Sequence, residues 1–337
     1  MQYDLAVFIG RFQPPHFGHL KTILSTFELA KKTLIIIGDY KTARSIKNPF
    51  TFDEVKKMIL NSLPVEFHKR LFLEPVRNYP YHDELWIASV QKIVSSYSEN
   101  SICLMGNLKD SSSYYLYSFP QWKFEPSEFL KGMNATDVRE FYFEEENLKI
   151  ELEKKLPVGT IQFLEIFKKT ETFTLLKEEF EFIKKYRSIW ANSPYPPTFV
   201  TTDSVVLKSG HVLVVKRKSN PGKGLYSLPG GFLAQDETIE QGAIRELIEE
   251  TGIKIPKLEL KNYIKAKQVF DKPDRSLRGR TVTHSFYFDL GIGELPKIRG
   301  GERTDKVIWM SISELYENME NFFEDHFSII EFFIYKA

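Results

Sequence analysis

The sequence predicts an α/β protein of two domains, the first built on a doubly wound parallel sheet and the second on a mixed sheet between helices. The length of 337 residues suits two domains, and a hydrophobic content of 42% provides for two cores. Three prolines, Pro194, Pro196 and Pro197, interrupt the periodicity between the two halves. We therefore predict a first domain at 1–186, a linker at 187–200 and a second domain at 201–337.

The balance of charges and the cysteine content limit which ligands and which cellular compartment fit the protein. The 46 basic side chains nearly balance the 45 acidic ones, so no global field favours nucleic acid or an acidic membrane. We expect small-molecule substrates, and the oligomeric state is left open, a homo-oligomer included. The single cysteine, Cys103, cannot form an internal disulfide and fits a reducing cytosol. No apolar run reaches the roughly 20 residues of a membrane span, and the N-terminus lacks the basic region of a signal peptide, so we expect a cytoplasmic protein.

The first 105 residues alternate between strand and helix patterns. Apolar runs predict strands at 5–9, 34–37, 71–76 and 102–105. Between them lie three helical patterns, one that ends near residue 30 and two at 52–62 and 83–96. This β-α-β order predicts a Rossmann-like domain that binds its ligand at the carboxyl ends of the strands. Residues 161–186 have apolar positions at helical spacing and predict one amphipathic helix that closes this domain.

Two histidines lie where the first strand passes into its helix, in the segment GRFQPPHFGH. Free N–H groups and the helix dipole favour anions at such a position, where His16 and His19 can donate to phosphates. The alternative is a purely structural role, in which the segment forms an ordinary helix-entry turn. The segment resembles the (H/T)xGH signature of nucleotidylyltransferases, in the form found in archaeal-type nicotinamide mononucleotide (NMN) adenylyltransferases.

Further segments extend this resemblance. MNATDVR, ending at Arg139, resembles the second signature of the family, with Asn134 where a serine is usual. The family implies that the catalytic groups of this domain are His16, His19 and Arg139. It implies that ATP and its phosphates are bound by Gly10, Arg11, Gly106, Asn107, Thr136 and Arg139.

The same resemblance implies a site for NMN. Asn48-Pro-Phe-Thr51 is similar to the NPFT segment of the family, and Lys47 precedes it where a cation holds the NMN phosphate. Trp86 resembles the aromatic residue that stacks on nicotinamide, although a tryptophan in an amphipathic helix is as often a core residue. The implied reaction transfers AMP from ATP to NMN and yields NAD and pyrophosphate. It depends on orientation and electrostatic stabilisation, with Mg²⁺, and needs no protein nucleophile.

The strongest pattern is GFLAQDETIEQGAIRELIEETGI at 231–253. Its nine fixed positions match the Nudix box spacing GX5EX7REUXEEXGU, where U is aliphatic. A helix at 238–251 would place Glu246, Glu249 and Glu250 on one face, and such hard oxygen ligands suit Mg²⁺ or Mn²⁺. We predict a catalytic metal site at these glutamates and Gly230, where a glycine allows a close approach of the backbone. The alternative is a solvated acidic helix face.

The resemblance to the Nudix box implies, for the residues around it, a Nudix domain of the α/β/α type with a mixed sheet. Strands are predicted at 204–207 and 212–215, joined by a Ser209-Gly210 turn, and a late helix should begin at Ser311 or Ser313. The segment from Gln268 to Leu290 is similar to the FDxPxRSxRGRTxTHxF region of Nudix domains that act on ADP-ribose. The resemblance implies that ADP-ribose is bound by Arg275, Arg278 and Arg280, although three arginines in a loop are often only solvated charge.

Over nearly its whole length, the chain resembles the bifunctional NMN adenylyltransferase/Nudix hydrolase family. The resemblance implies NAD synthesis and hydrolysis of ADP-ribose to AMP and ribose 5-phosphate. Three alternatives stay open: another nucleotidylyltransferase, such as a pantetheine-phosphate or cytidylyl enzyme; a Nudix domain acting on other nucleoside diphosphate derivatives, nucleoside triphosphates or capped RNA; and an ADP-ribose sensor without turnover.

Overall fold

A computed structural model describes residues 1–98, 100–107, 116–128, 130, 132–144, 152–301 and 304–336. The chain divides into two compact units, Met1–Lys177 and Glu178–Ala337. Both units have the α/β folds that the sequence predicts. Within the described ranges, no helix has the length and apolar character needed to cross a membrane.

The first unit is built on a parallel five-stranded sheet. Its strands are β1 (Tyr3–Gly10), β2 (Ala30–Ile37), β3 (Leu71–Pro75), β4 (Ile102–Gly106) and β5 (Lys123–Pro126). Their order is β3-β2-β1-β4-β5, with every neighbouring pair parallel. Because helices cover both faces, the central strands read as continuous apolar runs, such as Leu34–Ile37 in β2, instead of alternating.

The order of the strands indicates where the ligand region of the first unit lies. The chain moves from β1 outward to β2 and β3, and then returns to the other side of β1 with β4. The carboxyl ends of β1 and β4 therefore flank the point where the order reverses, which is where open α/β sheets bind ligands. Gly10 and Gly106 are the last residues of these two strands.

Among the described residues, the α-helices of the first unit include Phe17–Leu29, Phe52–Leu60, Asp83–Ser95, Ala135–Glu144, Val158–Phe167 and Glu171–Ser188, of which the last continues into the second unit. The prediction of one helix over 161–186 is wrong, because the pattern is divided between the final two. Thr170 explains the break: its Oγ1 accepts from the N–H of Phe173 at 3.2 Å and so caps the start of the second helix.

The second unit is built on a mixed sheet. Its strands are β6 (Thr198–Lys208), β7 (His211–Arg217), β8 (Tyr226–Ser227), β9 (Gly230–Phe232), β10 (Ile264–Phe270), β11 (Arg280–Asp289) and β12 (Thr304–Ser311). The main order is β10-β11-β6-β7-β12, with β8 paired to β7 and β9 to β6. Only the pair β6 and β11 is parallel among those described. Ser209 and Gly210, both at positive φ, form the predicted turn between β6 and β7.

The helices of the second unit, after Glu171–Ser188, are Ile239–Thr251, Lys257–Asn262, Ile312–Glu317 and His326–Lys336. The first of these four, the box helix, agrees closely with its prediction: Thr238 caps its start and Gly252 ends it at φ 54°. Its apolar face, including Ile244 and Leu247, packs on Phe286 and Phe288 of the sheet. Ser311 caps the late helix, as one of the two predicted starts.

Candidate active sites

The two histidines of the first unit form the entry turn of the helix Phe17–Leu29. The Nδ1 atom of His16 accepts from the N–H of Gly18 at 3.1 Å and from that of His19 at 3.4 Å. In return, the Nδ1 atom of His19 accepts from the N–H of His16 at 3.3 Å. The two rings stack with their centroids 3.7 Å apart. Because each Nδ1 is an acceptor, each ring carries its proton on Nε2, which is therefore its donor atom.

The glycine between the histidines has a steric reason. A Cβ atom at Gly18 would lie 3.0 Å from Cε1 and 3.1 Å from Nδ1 of the His16 ring. These distances are tighter than ordinary van der Waals contact. A side chain at Gly18 would therefore push the His16 ring out of its capping position.

Two guanidinium groups lie near this turn. Arg139 donates from Nη1 to the carbonyl of Gln13 at 2.7 Å and from Nη2 to Thr136 Oγ1 at 3.2 Å. Burial, together with the positive charge of Arg11, lowers the pKa of Arg139 to about 10. Arg11 also lies 4.0 Å from Asp39. Two neighbouring cations beside a helix N-terminus favour an anion such as phosphate.

Gln13 links the histidine turn to the NPFT segment, a contact that the sequence did not indicate. Its Nε2 donates to the carbonyl of Phe50 at 2.7 Å, and its Oε1 accepts from the N–H of Phe50 at 3.0 Å. Both side chains are buried. The amide therefore pairs with the backbone as a neighbouring strand would, and it holds two predicted ligand-binding segments together.

Asn134 caps the helix that carries Thr136 and Arg139. Its Oδ1 accepts from the N–H of Asp137 at 2.8 Å. Asparagine and serine are about equally good at this position. The departure from the usual serine of the family therefore preserves the helix start.

The predicted NMN residues are less closely defined. Lys47 is half-buried and precedes the segment held by Gln13. Trp86 packs against the core of the first unit, with its ring 5.8 Å from that of Phe119, and it remains partly exposed. Asn107 follows Gly106 at the end of β4, also partly exposed. Their roles stay predictions.

In the second unit, Arg245 organises the acidic face of the box helix. It makes ion pairs with Glu237 at 2.6 Å, Glu246 at 2.7 Å and Glu249 at 3.1 Å. The hydrogen bonds from Arg245 lower the pKa of Glu237 to about 2, and the same pairing raises the pKa of Arg245. This arginine therefore supplies the cation that three neighbouring carboxylates require. The sequence identified Arg245 and Glu237 as box positions without indicating this role.

The remaining box carboxylate binds the glycine loop. Glu250 Oε2 accepts from the N–H of Gly230 at 3.1 Å. A Cβ atom at Gly231 would lie 2.6 Å from Oε1 of Glu246, which is buried, so the loop can approach the helix only with glycine here.

The predicted metal ligands are not gathered into a coordination shell. Within the part of the chain that the structure describes, no three His, Cys, Asp or Glu residues are arranged to hold a metal ion. Glu246 and Glu249 are paired with Arg245, and Glu250 accepts from the N–H of Gly230, so these carboxylates are engaged with protein groups. The donor set is nevertheless suited to a hard divalent cation, because it consists of carboxylate oxygens on one helix face.

The basic loop departs from its prediction at Arg275. The Arg275 side chain is only 3% exposed, and it forms a two-point ion pair with Asp325, with both distances 2.8 Å. It thus joins the loop to the start of the C-terminal helix and does not form an exposed phosphate ligand with its neighbours. Arg278 lies over the ring of Phe232, 5.1 Å from its centroid, and Arg280 contacts Asp271. No sequence signal connects Arg275 with an aspartate 50 residues away.

Family models match each half of the chain. A cytidylyltransferase-like model matches residues 7–141, and a NUDIX domain model matches residues 198–333. A nicotinamide/nicotinic acid mononucleotide adenylyltransferase of Acinetobacter baylyi is 39% identical over 182 residues, which are 53% of this chain and 94% of that protein. An ADP-ribose pyrophosphatase of Methanocaldococcus jannaschii is 37% identical over 137 residues, which are 41% of this chain and 73% of that protein.

Similarity to solved structures extends over both halves together. A crystal structure of a bifunctional NMN adenylyltransferase/ADP ribose pyrophosphatase from Francisella tularensis, complexed with AMP and a Mn ion, has a TM-score of 0.91 and 37% identity, with 99% of each chain covered. A second structure of such a protein from that organism has a TM-score of 0.93 and 38% identity, again with 99% of each chain covered. With this identity over nearly the full length of both chains, the protein belongs to the bifunctional NMN adenylyltransferase/ADP-ribose pyrophosphatase family.

Proposed function

We propose that the first unit transfers AMP from ATP to NMN, and that the second unit hydrolyses ADP-ribose to AMP and ribose 5-phosphate. The observation that carries the proposal is that each unit has its own set of phosphate-binding candidates. The first set lies at the end of β1, where the sheet order reverses, and the second lies between the box helix and β9. The names of the relatives support the choice of substrates.

In the first reaction, a phosphate oxygen of NMN attacks the α-phosphorus of ATP, and the bond to the bridging oxygen of pyrophosphate breaks. Negative charge grows on the leaving pyrophosphate. We assign the Nε2–H groups of His16 and His19 as donors to the phosphates. Arg11 and Arg139 would neutralise the charge of the leaving group.

The two substrates would be bound by separate groups. ATP would be positioned by Thr136 and by the backbone beside Gly10, Gly106 and Asn107. NMN would be held by Lys47 and Trp86.

In the second reaction, water attacks one phosphorus atom of the pyrophosphate group of ADP-ribose. The bridging P–O bond breaks, and AMP and ribose 5-phosphate each keep one phosphate. Glu246, Glu249 and Glu250, with the Gly230 backbone, would hold a divalent cation, Mg²⁺ or Mn²⁺. When bound, such a cation neutralises phosphate charge and lowers the pKa of water. Arg278 and Arg280 would bind the substrate phosphates, and Arg275 would position their loop through Asp325.

Product analysis on the wild-type protein tests this proposal. The protein is incubated with NMN, ATP and Mg²⁺, and separately with ADP-ribose and Mg²⁺. We expect NAD and pyrophosphate from the first mixture, and AMP and ribose 5-phosphate from the second. Turnover of pantetheine phosphate or CTP substrates in place of NMN would contradict the first assignment. Binding of ADP-ribose without hydrolysis would identify the second unit as a sensor.

A further inference from the structure

Phe12, in the turn between β1 and the helix Phe17–Leu29, has an unusual backbone conformation. Its φ angle is 53°, in the left-handed region that a bulky residue occupies only at a cost in strain. The side chain is almost completely buried, with 1% of its surface exposed. Because a glycine would adopt this φ without strain, the reason for a phenylalanine here lies in the contacts of its ring.

The ring of Phe12 folds back onto the strand that precedes the turn. It packs edge to face against Phe8 of β1, with the centroids 5.3 Å apart and the ring planes at 86°. It also covers the end of the strand, because a Cβ atom at Gly10 would lie 2.9 Å from Cζ of Phe12. One side of the ring environment is therefore the rigid central strand of the sheet.

The same ring contacts His19 on the helix. Their centroids are 4.8 Å apart, and the ring planes meet at 62°. The His19 ring also stacks on that of His16, and its Nδ1 atom accepts from the N–H of His16. The hydrogen bond fixes one atom of the imidazole, and the aromatic contacts limit how the ring can turn about that atom. Together they define the direction of the Nε2–H group, which is the donor atom of His19.

We propose that Phe12 is a positioning residue for NAD synthesis, whose ring holds the His19 imidazole with Nε2–H directed at the phosphate that gains charge. This inference rests on the proposed transfer of AMP by the first unit. A donor stabilises the transition state most when it already points to the place where charge develops. A misplacement of about 1 Å can cost about 100-fold in rate. Since the Phe12 ring acts through His19, its loss should lower kcat and leave substrate binding nearly unchanged.

The test is a double-mutant cycle in NAD synthesis with Phe12→Leu, His19→Ala and the double variant. Leucine keeps an apolar side chain on the same left-handed backbone and removes the ring. We expect Phe12→Leu alone to lower kcat by about 10- to 100-fold, with the KM values of ATP and NMN within about threefold of wild type. In the His19→Ala background, the same substitution should change kcat by less than about twofold, because no imidazole remains to be positioned.

Phe27→Leu is the matched control. Phe27 is buried in the same helix as His19, and its ring stacks on that of Phe67 at 4.5 Å. We expect this variant to keep kcat within about twofold of wild type. The side-chain proton resonances of His19, assigned by comparison with His19→Ala, give a reading without substrate. Because an aromatic ring shifts the resonances of nearby protons, these should move in Phe12→Leu and stay unchanged in Phe27→Leu.

Several outcomes would overturn the proposal. A loss from Phe12→Leu that is equally large in the His19→Ala background would mean that the ring does not act through His19. A rise in KM with unchanged kcat would make Phe12 a substrate-binding residue. Unchanged kcat with shifted His19 resonances would show that the orientation of the imidazole does not limit the reaction. If Phe12→Leu does not fold, Phe12→Met, whose flexible side chain fills irregular gaps, replaces it in the cycle.

Failure of the proposed function is recognised separately. Wild-type protein that formed no NAD from NMN and ATP would refute the proposed function of the first unit. The outcomes of the cycle are read only against an active wild-type protein, and they refute the role of Phe12 alone. Hydrolysis of ADP-ribose, measured on each variant, shows that the second unit of the same sample is intact.

Discussion

Glu250→Gln tests the box as a catalytic metal site, because the substitution keeps the size of the side chain and removes its charge. Glu250 accepts a hydrogen bond from the N–H of Gly230, and glutamine keeps an oxygen that can accept it. For this contact, the loss is the difference between a charged and a neutral acceptor, about 1 kcal/mol. For a unit of this size, that lowers the melting temperature by about 2–4 °C. The substitution also relieves repulsion among the glutamates, but this adds little to stability, because Arg245 already compensates the negative charges of Glu246 and Glu249.

The effect on activity should be far larger than the effect on folding. Loss of even an outer-shell partner of a metal costs about 10- to 100-fold, so loss of a ligand should lower ADP-ribose hydrolysis at least 100-fold. The assay measures hydrolysis, NAD synthesis and the rise in melting temperature with added Mg²⁺. We expect hydrolysis and the Mg²⁺-dependent rise to fall, and NAD synthesis to stay within about twofold of wild type. Near-normal hydrolysis with unchanged Mg²⁺ dependence would refute the metal assignment.

Two further predictions concern other parts of the two sites. Lys47→Ala and Trp86→Ala should each raise the KM for NMN more than that for ATP, in steady-state assays of NAD synthesis; an unchanged KM for NMN in both variants would leave them with structural roles. Glu237→Gln should lower the free energy of unfolding in urea above about pH 4.5, and the difference from wild type should shrink as the pH falls towards 2, since the folded-state pKa of Glu237 is lowered to about 2. A difference that did not vary with pH would show that the ion pair with Arg245 is not its source.

Local patterns predicted much of the fold. The apolar runs identified β1 and β2, because strands buried on both faces are continuously hydrophobic. Thr238 and Gly252 marked the ends of the box helix, since capping depends on residues close in sequence. The helix pattern over 161–186 misled because both of its parts are amphipathic, and only the capping contact of Thr170 shows the break.

The sites were predictable only as far as motifs extend. The histidine turn and the acidic helix face follow from spacing along one helix. The pairing of Arg275 with Asp325 and the contact of Gln13 with Phe50 join segments that are distant in sequence. Tertiary packing alone creates such contacts, and a single sequence carries no local sign of them. The same limit applies to Arg245, whose role depends on how three carboxylates turn toward it.

The central claim is that two independent active sites share one chain, and His19→Ala tests it most directly. Both activities are measured on the same sample of the variant. Loss of one donor to a developing phosphoryl charge should lower NAD synthesis by about 10²- to 10³-fold. Glutamine at this position can restore the backbone cap without the ring, so His19→Gln controls for the contact that His19 makes with the His16 N–H. We predict that ADP-ribose hydrolysis stays within about twofold of wild type in both variants; an equal loss of the two activities in a folded protein would contradict the account.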